Sequence, residues 1–401
     1  MGSESLPFME RLFRSIAESG WEDWAAKVIA LAIATLLAWI AAWLFNQIYP
    51  RIWAFWNGKR QIERALKAVA PDSKGIWLAS SIPIDRPIGY NHWFQISKPI
   101  IVVANLKGGV GKTTVASNLM AHYALKKGER VLGIDLDFQG SLTANALSDE
   151  DRNNLLIAQT DGNPSKSAHL INDRDAVWLS HAAETVIDVP KAKLIPTYYS
   201  LAPMENRLMV EWLLGQRDAD IRFHLAKLLH DPLIQTSFDR IIIDAPPRLT
   251  TGCIQALCAA THVLIPTVLD DLSTEAVGAF ADQLRVHQSL WPYFKIVGVV
   301  GTMTSITTVV DDELRDNALN DVEVDAHASG RAALNQALLT ADFPLRDASY
   351  MPVEVFIPDK RELSRASGHG IVYASRSQAA PFLEIRRAFD RLGDEIDSRL
   401  K

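Results

Sequence analysis

The 401-residue chain has only two cysteines, and it has no excess of positive charge. Two cysteines exclude a disulfide framework and a cysteine-rich zinc module, and they fit a reducing compartment. A formal net charge of −6 removes the overall basic signature of a nucleic-acid coat protein, although a local basic patch remains compatible with it. The ten histidines show no ligand spacing such as H-E-x-x-H, so we expect no transition metal held by the protein.

Charge is also missing from an apolar run at residues 28–45, VIALAIATLLAWIAAWLF. As a helix this run would be about 27 Å long, close to the hydrocarbon thickness of a bilayer. Tryptophans flank the run as they do at membrane interfaces: Trp21, Trp24, Trp53 and Trp56. A buried core helix and a signal peptide are the alternatives, but the run follows a long, acid-rich segment and precedes no small-residue cleavage site. The sequence therefore predicts one transmembrane helix over residues 28–49.

The charges around this helix predict its orientation. Residues 51–67 carry five basic side chains against the single acid Glu63, and the positive-inside rule then places the following chain in the cytoplasm. We therefore expect a single-pass membrane protein whose main body lies in the cytoplasm. The tail, residues 1–27, has apolar residues at helical spacing, so it either lies along the outer membrane surface or packs against partner helices: Leu6, Met9, Phe13 and Ile16.

Residues 50–97 are predicted to form a juxtamembrane connector. A short helical pattern runs from Arg60 to Ala70 and is ended by Pro71. The chain after it is rich in proline, serine and glycine, which indicates an extended loop without a core of its own.

A glycine-rich loop follows this connector. Ile100 to Ala104 is a β-branched run typical of a buried parallel strand, and Val115 to Lys126 is a helical pattern closed by Gly128. The loop between them runs Lys107-Gly108-Gly109-Val110-Gly111-Lys112-Thr113-Thr114. A strand, such a loop and a helix together predict a phosphate-binding loop, whose backbone N–H groups cradle phosphates. We expect Lys112 to contact the β- and γ-phosphates and the Thr113 hydroxyl to ligate Mg²⁺.

The loop KGGVGKTT resembles the deviant Walker A motif of the ParA/MinD family of P-loop ATPases. That motif has an extra lysine near its start, which is Lys107 here. In the family this lysine reaches across a dimer interface to the partner's nucleotide, as an arginine finger does elsewhere. The resemblance covers roughly residues 98–401. It implies a homodimer with ATP and Mg²⁺ at the interface, and nucleotide contacts from residues 108–114.

Two further motifs of the family supply carboxylates. Residues 131–140 form an apolar strand that ends at Asp135 and Asp137, two carboxylates separated by one residue. The resemblance implies that Asp137 positions the attacking water and that Asp135 helps to organise the Mg²⁺ shell. Residues 240–247 are a second apolar strand that delivers Asp244 to its carboxyl end, where the resemblance implies that it holds Mg²⁺ through water.

Three more strands are predicted at residues 262–268, 295–302 and 353–357. The last leads into a segment that resembles the family's region near the nucleotide base, so Pro358 is a predicted base contact. Alternating strands and helices predict a mostly parallel, doubly wound α/β sheet over residues 98–401, preceded by the transmembrane helix. Residues 148–190 are polar and irregular, and they indicate either a partner-binding lid or a tolerated surface insertion.

Two weaker signals favour ordinary structure. Cys253 and Cys258 lie on a predicted apolar helix, where core packing is more common than the iron–sulfur cluster of some related proteins. The last helix carries equal numbers of acids and bases, which is typical of a solvated, salt-bridged face, so we expect no DNA binding.

The interpretation that best fits these patterns is a membrane-anchored, ATP-dependent dimerisation switch that hydrolyses ATP and positions or gates an unidentified protein partner. A bacterial tyrosine kinase of the polysaccharide-export type is one alternative, but the last tyrosine is Tyr373 and only one membrane span is predicted. A nucleotide-locked membrane scaffold is the other, but it would need a damaged site, and the motif lysines, threonine and aspartates are all present.

Overall fold

The computed structural model describes residues 10–11, 14, 21–68, 75–160, 162–305, 321–338, 349–365 and 370–400. The chain divides into two compact units, Met1–Lys67 and Ala68–Lys401. The predicted helical pattern from Leu6 to Ile16 lies outside the described residues apart from isolated positions.

Helix α1, Trp21–Ala68, has 48 residues, includes Pro50 and lies in the first unit except for its last residue. It is longer than the predicted span of residues 28–49, and the helical pattern predicted from Arg60 belongs to the same helix. Among the described residues it is the one helix long and apolar enough to cross a membrane, with a mean hydropathy of 2.4 in its most apolar window. None of that window is buried, so this is not a core helix of the described structure.

The second unit contains a sheet of eight strands: β1 Ile100–Val103, β2 Val131–Asp135, β3 Glu184–Val186, β4 Val189–Ile195, β5 Arg240–Asp244, β6 His262–Val268, β7 Lys295–Thr304 and β8 Ile357–Pro358. The strand order is β3-β4-β2-β5-β1-β6-β7-β8. Every pairing is parallel except β3 with β4. This confirms the predicted mostly parallel α/β sheet.

The helices of this unit follow in chain order: α2 Tyr90–Ile96, α3 Lys112–Leu125, α4 Ser141–Ala146, α5 Asp149–Thr160, α6 Lys166–Asn172, α7 Ala176–Ala182, α8 Leu201–Leu213, α9 His224–Leu229, α10 Pro232–Ser237, α11 Thr251–Ala259, α12 Asp271–Val286, α13 Asp321–Leu338, α14 Arg361–Arg365 and α15 Ala380–Arg399.

The central strands determine where the site forms. Strands β1, β2 and β5 are buried at every position, as expected of β-branched strands in the middle of a parallel sheet. Their register pairs Val103 with Asp244 and Asp135 with Asp244. The carboxyl ends of these three strands therefore meet at one edge, where open α/β sheets bind ligands.

Two predicted segments differ in the structure. Residues 353–357 were expected to be a strand, but Val353–Val355 form a 3₁₀ turn and β8 has only two residues. The proline in β8 has no N–H to donate to a longer ladder. Residues 148–190 were expected to be irregular, but they contain α5, α6, α7 and β3. Side-chain caps start two of these short helices, since Ser165 accepts from the Ala168 N–H and Asp175 from the Trp178 N–H.

Residues 75–97 are also more structured than an extended loop. They contain a 3₁₀ turn, Ile76–Leu78, and helix α2. Trp77, Ile82 and Tyr90 are buried in the second unit, and the Tyr90 hydroxyl donates to the Cys258 carbonyl at 2.7 Å. The structured second unit thus extends upstream of residue 98. Cys253 and Cys258 themselves are buried free thiols on α11.

Candidate nucleotide-binding site

The glycine-rich loop joins β1 to α3 at the carboxyl edge of the sheet. Gly109 and Gly111 have φ values of 73° and 78°, in the left-handed region that glycine adopts without strain. Helix α3 begins at Lys112, so its first N–H groups, which have no partner within the helix, face the loop. The Thr302 hydroxyl on β7 donates to the Val110 carbonyl at 3.0 Å and fixes the loop to the sheet. A glycine loop at a helix N-terminus is an anion-binding arrangement.

Lys112 points into this loop. Its side chain is 7% exposed, and Nζ donates to the Lys107 carbonyl at 2.8 Å. Burial lowers the pKa of Lys112, while the charges of Asp244 and Asp137 act in the opposite direction. The ammonium group is therefore inside the loop and close to two of the predicted carboxylates.

Lys107 is paired within its own chain. Its Nζ lies 3.3 Å from Asp270 Oδ1 and 2.6 Å from the Ser273 hydroxyl oxygen. The same Asp270 oxygen accepts from the Ser273 N–H at 2.7 Å, which caps helix α12. In this arrangement Lys107 is 31% exposed and does not enter the loop that it precedes.

Asp244 and Thr113 meet at the centre of the site, where the Thr113 hydroxyl donates to Asp244 Oδ2 at 2.7 Å. Asp244 is 1% exposed, and its Oδ1 is buried without a hydrogen-bond partner among the described residues. Burial raises the pKa of Asp244 to about 7, against the hydrogen bond from Thr113 and the charge of Lys112. A buried carboxylate oxygen without a donor, beside a hydroxyl group, fits a hard divalent cation such as Mg²⁺.

The described residues contain no cluster of three or more histidine, cysteine, aspartate or glutamate side chains suited to a metal. A cation at Asp244 would therefore take most of its ligands from phosphates and water, as Mg²⁺ does in nucleotide sites.

Asp135 is buried and has donors at both oxygens. Oδ2 accepts from the Thr143 N–H at 2.8 Å and from its hydroxyl at 2.7 Å, and Oδ1 accepts from the Asp137 N–H at 3.1 Å. Burial, and then the charge of Asp244, raise the pKa of Asp135 well above its usual range. Asp135 therefore lies beside Asp244 but also fixes the turn that carries Asp137.

Asp137 lies in that turn and is half-buried. One carboxylate oxygen accepts from the Gln139 N–H at 3.1 Å, and the backbone carbonyl accepts from the Gly140 N–H at 2.8 Å. The next residue, Phe138, is 38% exposed, and its ring centroid lies 6.3 Å from that of Tyr199. The two aspartates of this motif thus differ in environment, because Asp135 ends strand β2 whereas Asp137 lies in the turn that follows it.

A cavity of about 260 Å³ adjoins the loop. Its walls include Gly111, Thr114, Thr302, Met303 and Pro358. Met303 has a φ of 54°, which is uncommon for a residue with a side chain. The structure therefore brings the predicted base contact Pro358 and the phosphate-binding loop to one cavity.

Glu205 is a site neighbour that the motifs did not indicate. This residue of α8 is 6% exposed, and its Oε1 accepts from the Gly252 N–H at 2.8 Å. Burial raises the pKa of Glu205 to about 7, against hydrogen bonds from Thr250 and Gly252, and the charge of Asp137 adds to the rise. In the sequence Glu205 is one of several polar residues on an amphipathic helix, so no local signal marks it.

Several known proteins are similar to this chain in sequence. A family model described as an AAA domain matches residues 98–295. The chain is 32% identical over 218 residues to the chromosome partitioning protein ParA of Myxococcus xanthus, covering 54% of this chain and 68% of that protein. It is 30% identical over 220 residues to the chromosome-partitioning ATPase Soj of Thermus thermophilus, covering 54% of this chain and 75% of that protein. A relative from Rhizobium rhizogenes is 32% identical over 192 residues, but only 44% of its length is covered.

Solved structures support the fold. The McdA(D38A)–ATP complex of Cyanothece has a TM-score of 0.51 at 19% identity, covering 76% of this chain and 96% of that chain. The structure of pNOB8 ParA bound to nonspecific DNA has a TM-score of 0.51 at 22% identity, covering 76% and 98%. With the identity to ParA and Soj over more than two thirds of their lengths, these findings establish that the chain belongs to the ParA/Soj family of P-loop ATPases.

Proposed function

We propose that this protein is a membrane-anchored, ATP-dependent dimerisation switch that hydrolyses ATP to ADP and phosphate and so positions or gates a partner protein complex. The observation that carries the proposal is the buried Asp244 carboxylate, which has one oxygen bonded to Thr113 and the other without a partner among the described residues. Lys112 lies beside it in the glycine loop. These groups match the phosphate and metal ends of an ATP–Mg²⁺ complex, and a structural neighbour is an ATP complex.

In the proposed reaction the protein supplies position and charge. Bound Mg²⁺, held by the Thr113 hydroxyl and by Asp244, would supply positive charge to the phosphates. Lys112 and the N–H groups of the loop neutralise the remaining phosphate charge. Asp137 orients the attacking water, and Asp135 keeps Asp137 in place through the 3.1 Å hydrogen bond from the Asp137 N–H.

Dimerisation would bring Lys107 of one copy to the nucleotide of the other. For this step Lys107 must leave Asp270 and Ser273, which hold it in the single chain. Apolar side chains next to the site residues Ser273 and Asp137 are exposed. Leu272, which precedes Ser273, is 73% exposed, and Phe138, which follows Asp137, is 38% exposed. A second copy over this edge would cover them and bury the nucleotide.

The membrane proposal rests on helix α1. Its apolar window is exposed along its whole length, and the basic residues between 51 and 67 favour a cytoplasmic location for the ATPase unit. We place the protein in the bacterial inner membrane with a single span. Because a spanning helix is effectively irreversible, nucleotide would control pairing in the membrane plane rather than membrane residence.

The partner is proposed by class only. The relatives are named for chromosome partitioning, which supports a role in positioning cargo. Our sequence-based expectation against DNA binding gains no support from the comparisons, because one structural neighbour was solved with nonspecific DNA. DNA is therefore measured beside protein partners in the test below.

The test is phosphate release by the full-length protein in lipid vesicles, comparing wild type with Asp137→Ala. We expect the variant to bind ATP normally, lose hydrolysis and accumulate dimer, because Asp137 acts on the water and not on the phosphates. Asp282→Ala, which removes an exposed carboxylate on α12, is the matched control and should keep the wild-type rate. Wild-type hydrolysis by Asp137→Ala would contradict the assigned role of Asp137, and protein phosphorylation without phosphate release would favour the kinase.

The same vesicles test the two partner classes. Nonspecific duplex DNA and a cytosolic extract are added with ATP and with ADP. Retention of DNA that depends on ATP would favour a partition-type role, whereas proteins retained only in the trapped Asp137→Ala state would identify the partner complex.

A further inference from the structure

Residues 75–90, here called the docking arm, reach the segment that follows the proposed metal ligand Asp244. The Trp77 indole N–H donates to the Leu249 carbonyl at 3.0 Å. Trp77 is 5% exposed, although it follows helix α1 by only nine residues. The arm therefore makes a buried, directional contact with the chain that leaves strand β5.

The segment between Asp244 and Leu249 has little backbone freedom. Two of its four residues are Pro246 and Pro247, whose rings fix φ and remove backbone freedom. At one end, the Asp244 carbonyl accepts from the Leu136 N–H at 3.0 Å. A shift of Asp244 on binding a ligand would thus move Leu249, and a restraint on Leu249 would limit the positions open to Asp244.

A buried ion pair holds the docking arm in place. The guanidinium group of Arg222 donates to the Trp77 carbonyl at 2.7 Å and to the Pro83 carbonyl at 2.9 Å. The same group is paired with Asp220, and the two side chains are 0% and 4% exposed. Asp220 also accepts from the Asp85 N–H at 3.1 Å. Buried charge-assisted hydrogen bonds of this kind are strong, because water cannot replace them at this position.

Helix α8 connects the arm to the residues that follow Leu249. Its Trp212 ring stacks on Trp77, with centroids 5.7 Å apart. Two turns earlier, Glu205 accepts from the Gly252 N–H at the start of α11. The arm and α8 therefore hold residues 249–252 from two sides, and neither lies in a nucleotide-binding motif.

We propose that Trp77 is a positioning residue for the ATPase reaction, and that the docking arm couples the nucleotide site to the chain leaving helix α1. This inference rests on the proposed ATPase function. Trp77 acts through Leu249 and the two prolines on Asp244, so its loss should lower turnover without removing a nucleotide contact. Because coupling is reciprocal, a nucleotide at Asp244 also changes the restraint on the arm.

The first test compares Trp77→Phe with Trp291→Phe in the full-length protein in lipid vesicles. Trp291 is a matched control, because its buried indole N–H donates to the Leu284 carbonyl at 3.1 Å away from the nucleotide site. Both variants keep an aromatic ring and lose one hydrogen bond. We expect Trp77→Phe to lower kcat about fivefold, which corresponds to the net free energy of one hydrogen bond. KM for ATP should change less than about twofold. Trp291→Phe should keep the wild-type kcat, and equal kcat values for the two variants would overturn the proposal.

The second test needs no substitution at Trp77. Hydrogen exchange of the amides in residues 75–90 is measured in the wild-type protein with and without ATP–Mg²⁺. The control is Lys112→Ala, measured at an ATP concentration that saturates the wild type but not this weakly binding variant. We expect ATP–Mg²⁺ to slow exchange in the arm at least threefold in wild type only. Unchanged exchange in a wild-type protein that hydrolyses ATP would reject the coupling through the docking arm but not the proposed function. Absence of hydrolysis in the wild type would reject the proposed function itself.

Discussion

Helix α1 and the carboxyl edge of the sheet each carry groups that lack a suitable partner among the described residues. The groups are opposite in chemistry, since those of α1 are apolar and exposed and that of the sheet edge is polar and buried. In α1, large apolar side chains such as Leu31 and Trp39 are 68% and 67% exposed. At the sheet edge, a buried oxygen of Asp244 has no donor among the described residues. The proposed partner of the exposed apolar side chains is the hydrocarbon of a membrane, and that of the Asp244 oxygen is a cation. Because the two features belong to separate units, each should be removable without the other.

The largest expected effect is at the sheet edge. Lys112→Ala should weaken ATP binding roughly 100-fold, because it removes a buried charge worth about 3 kcal/mol on the phosphates. The protein should remain in the membrane fraction, since α1 is unchanged. Titration with a fluorescent ATP analogue measures the affinity, and wild-type affinity in the variant would refute the phosphate-binding loop.

The converse change is made in α1. Leu36→Arg combined with Leu37→Arg should release the protein from membranes on carbonate washing, because an arginine at the centre of a spanning helix costs about 3 kcal/mol. ATP affinity should stay at the wild-type value. Leu272→Arg, at another exposed leucine, is the control and should leave membrane retention intact. Carbonate release of the wild-type protein would show that α1 does not span the bilayer.

A smaller effect is expected from Lys107→Ala. ATP binding should change less than about threefold, because Lys107 pairs with Asp270 and Ser273 and not with its own loop, whereas the ATP-dependent dimer should weaken at least about tenfold. Light scattering with a non-hydrolysed ATP analogue gives the dimer fraction. Lys227→Ala, which removes an exposed lysine, is the control. A dimer of unchanged strength would exclude an intersubunit role.

The smallest effect is expected at Glu205. Its carboxyl group is buried like that of Asp244, but its Oε1 accepts a hydrogen bond, whereas Asp244 Oδ1 has no donor among the described residues. Burial raises the pKa of Glu205 from 4.5 to about 7. The folded state therefore holds a proton that the unfolded state has lost, so stability falls as pH rises through this interval. Between pH 6 and 7 the residue should lower the free energy of unfolding by about 1 kcal/mol, and Glu205→Gln should remove that slope. Urea unfolding of the nucleotide-free protein at both pH values measures it, and identical slopes would contradict the buried carboxyl.

Sequence patterns predicted the parts of the site that are local in the chain. Gly109, Gly111 and Asp244 were recognisable because a glycine loop and an apolar strand each carry their signal within ten residues. The contact between Lys107 and Asp270 joins residues 163 positions apart, and that between Trp77 and Leu249 joins residues 172 apart. Neither leaves a periodic pattern, because each depends on how separate strands and helices are brought together.

Composition also misled in three places. The polar run from 148 to 190 hid three helices, two of which start at single side-chain caps such as Ser165 rather than at an apolar repeat. The apolar run at 353–357 suggested a strand, but Pro352 and Pro358 bracket it and restrict the ladder to two residues. The proline-rich stretch before residue 98 was interpreted as loop, and its burial depends on Arg222, far along the chain.

Both edge strands of the sheet that the structure describes are short. One outer strand, β3, has three residues, and the other, β8, has two, one of them a proline. Short or proline-bearing margins offer few free N–H and C=O groups to another chain. This matters if the protein is anchored in a membrane as proposed, because neighbouring copies then diffuse in two dimensions and collide often. Such collisions would rarely lead to strand pairing between copies, so the proposed nucleotide-dependent pairing would remain reversible.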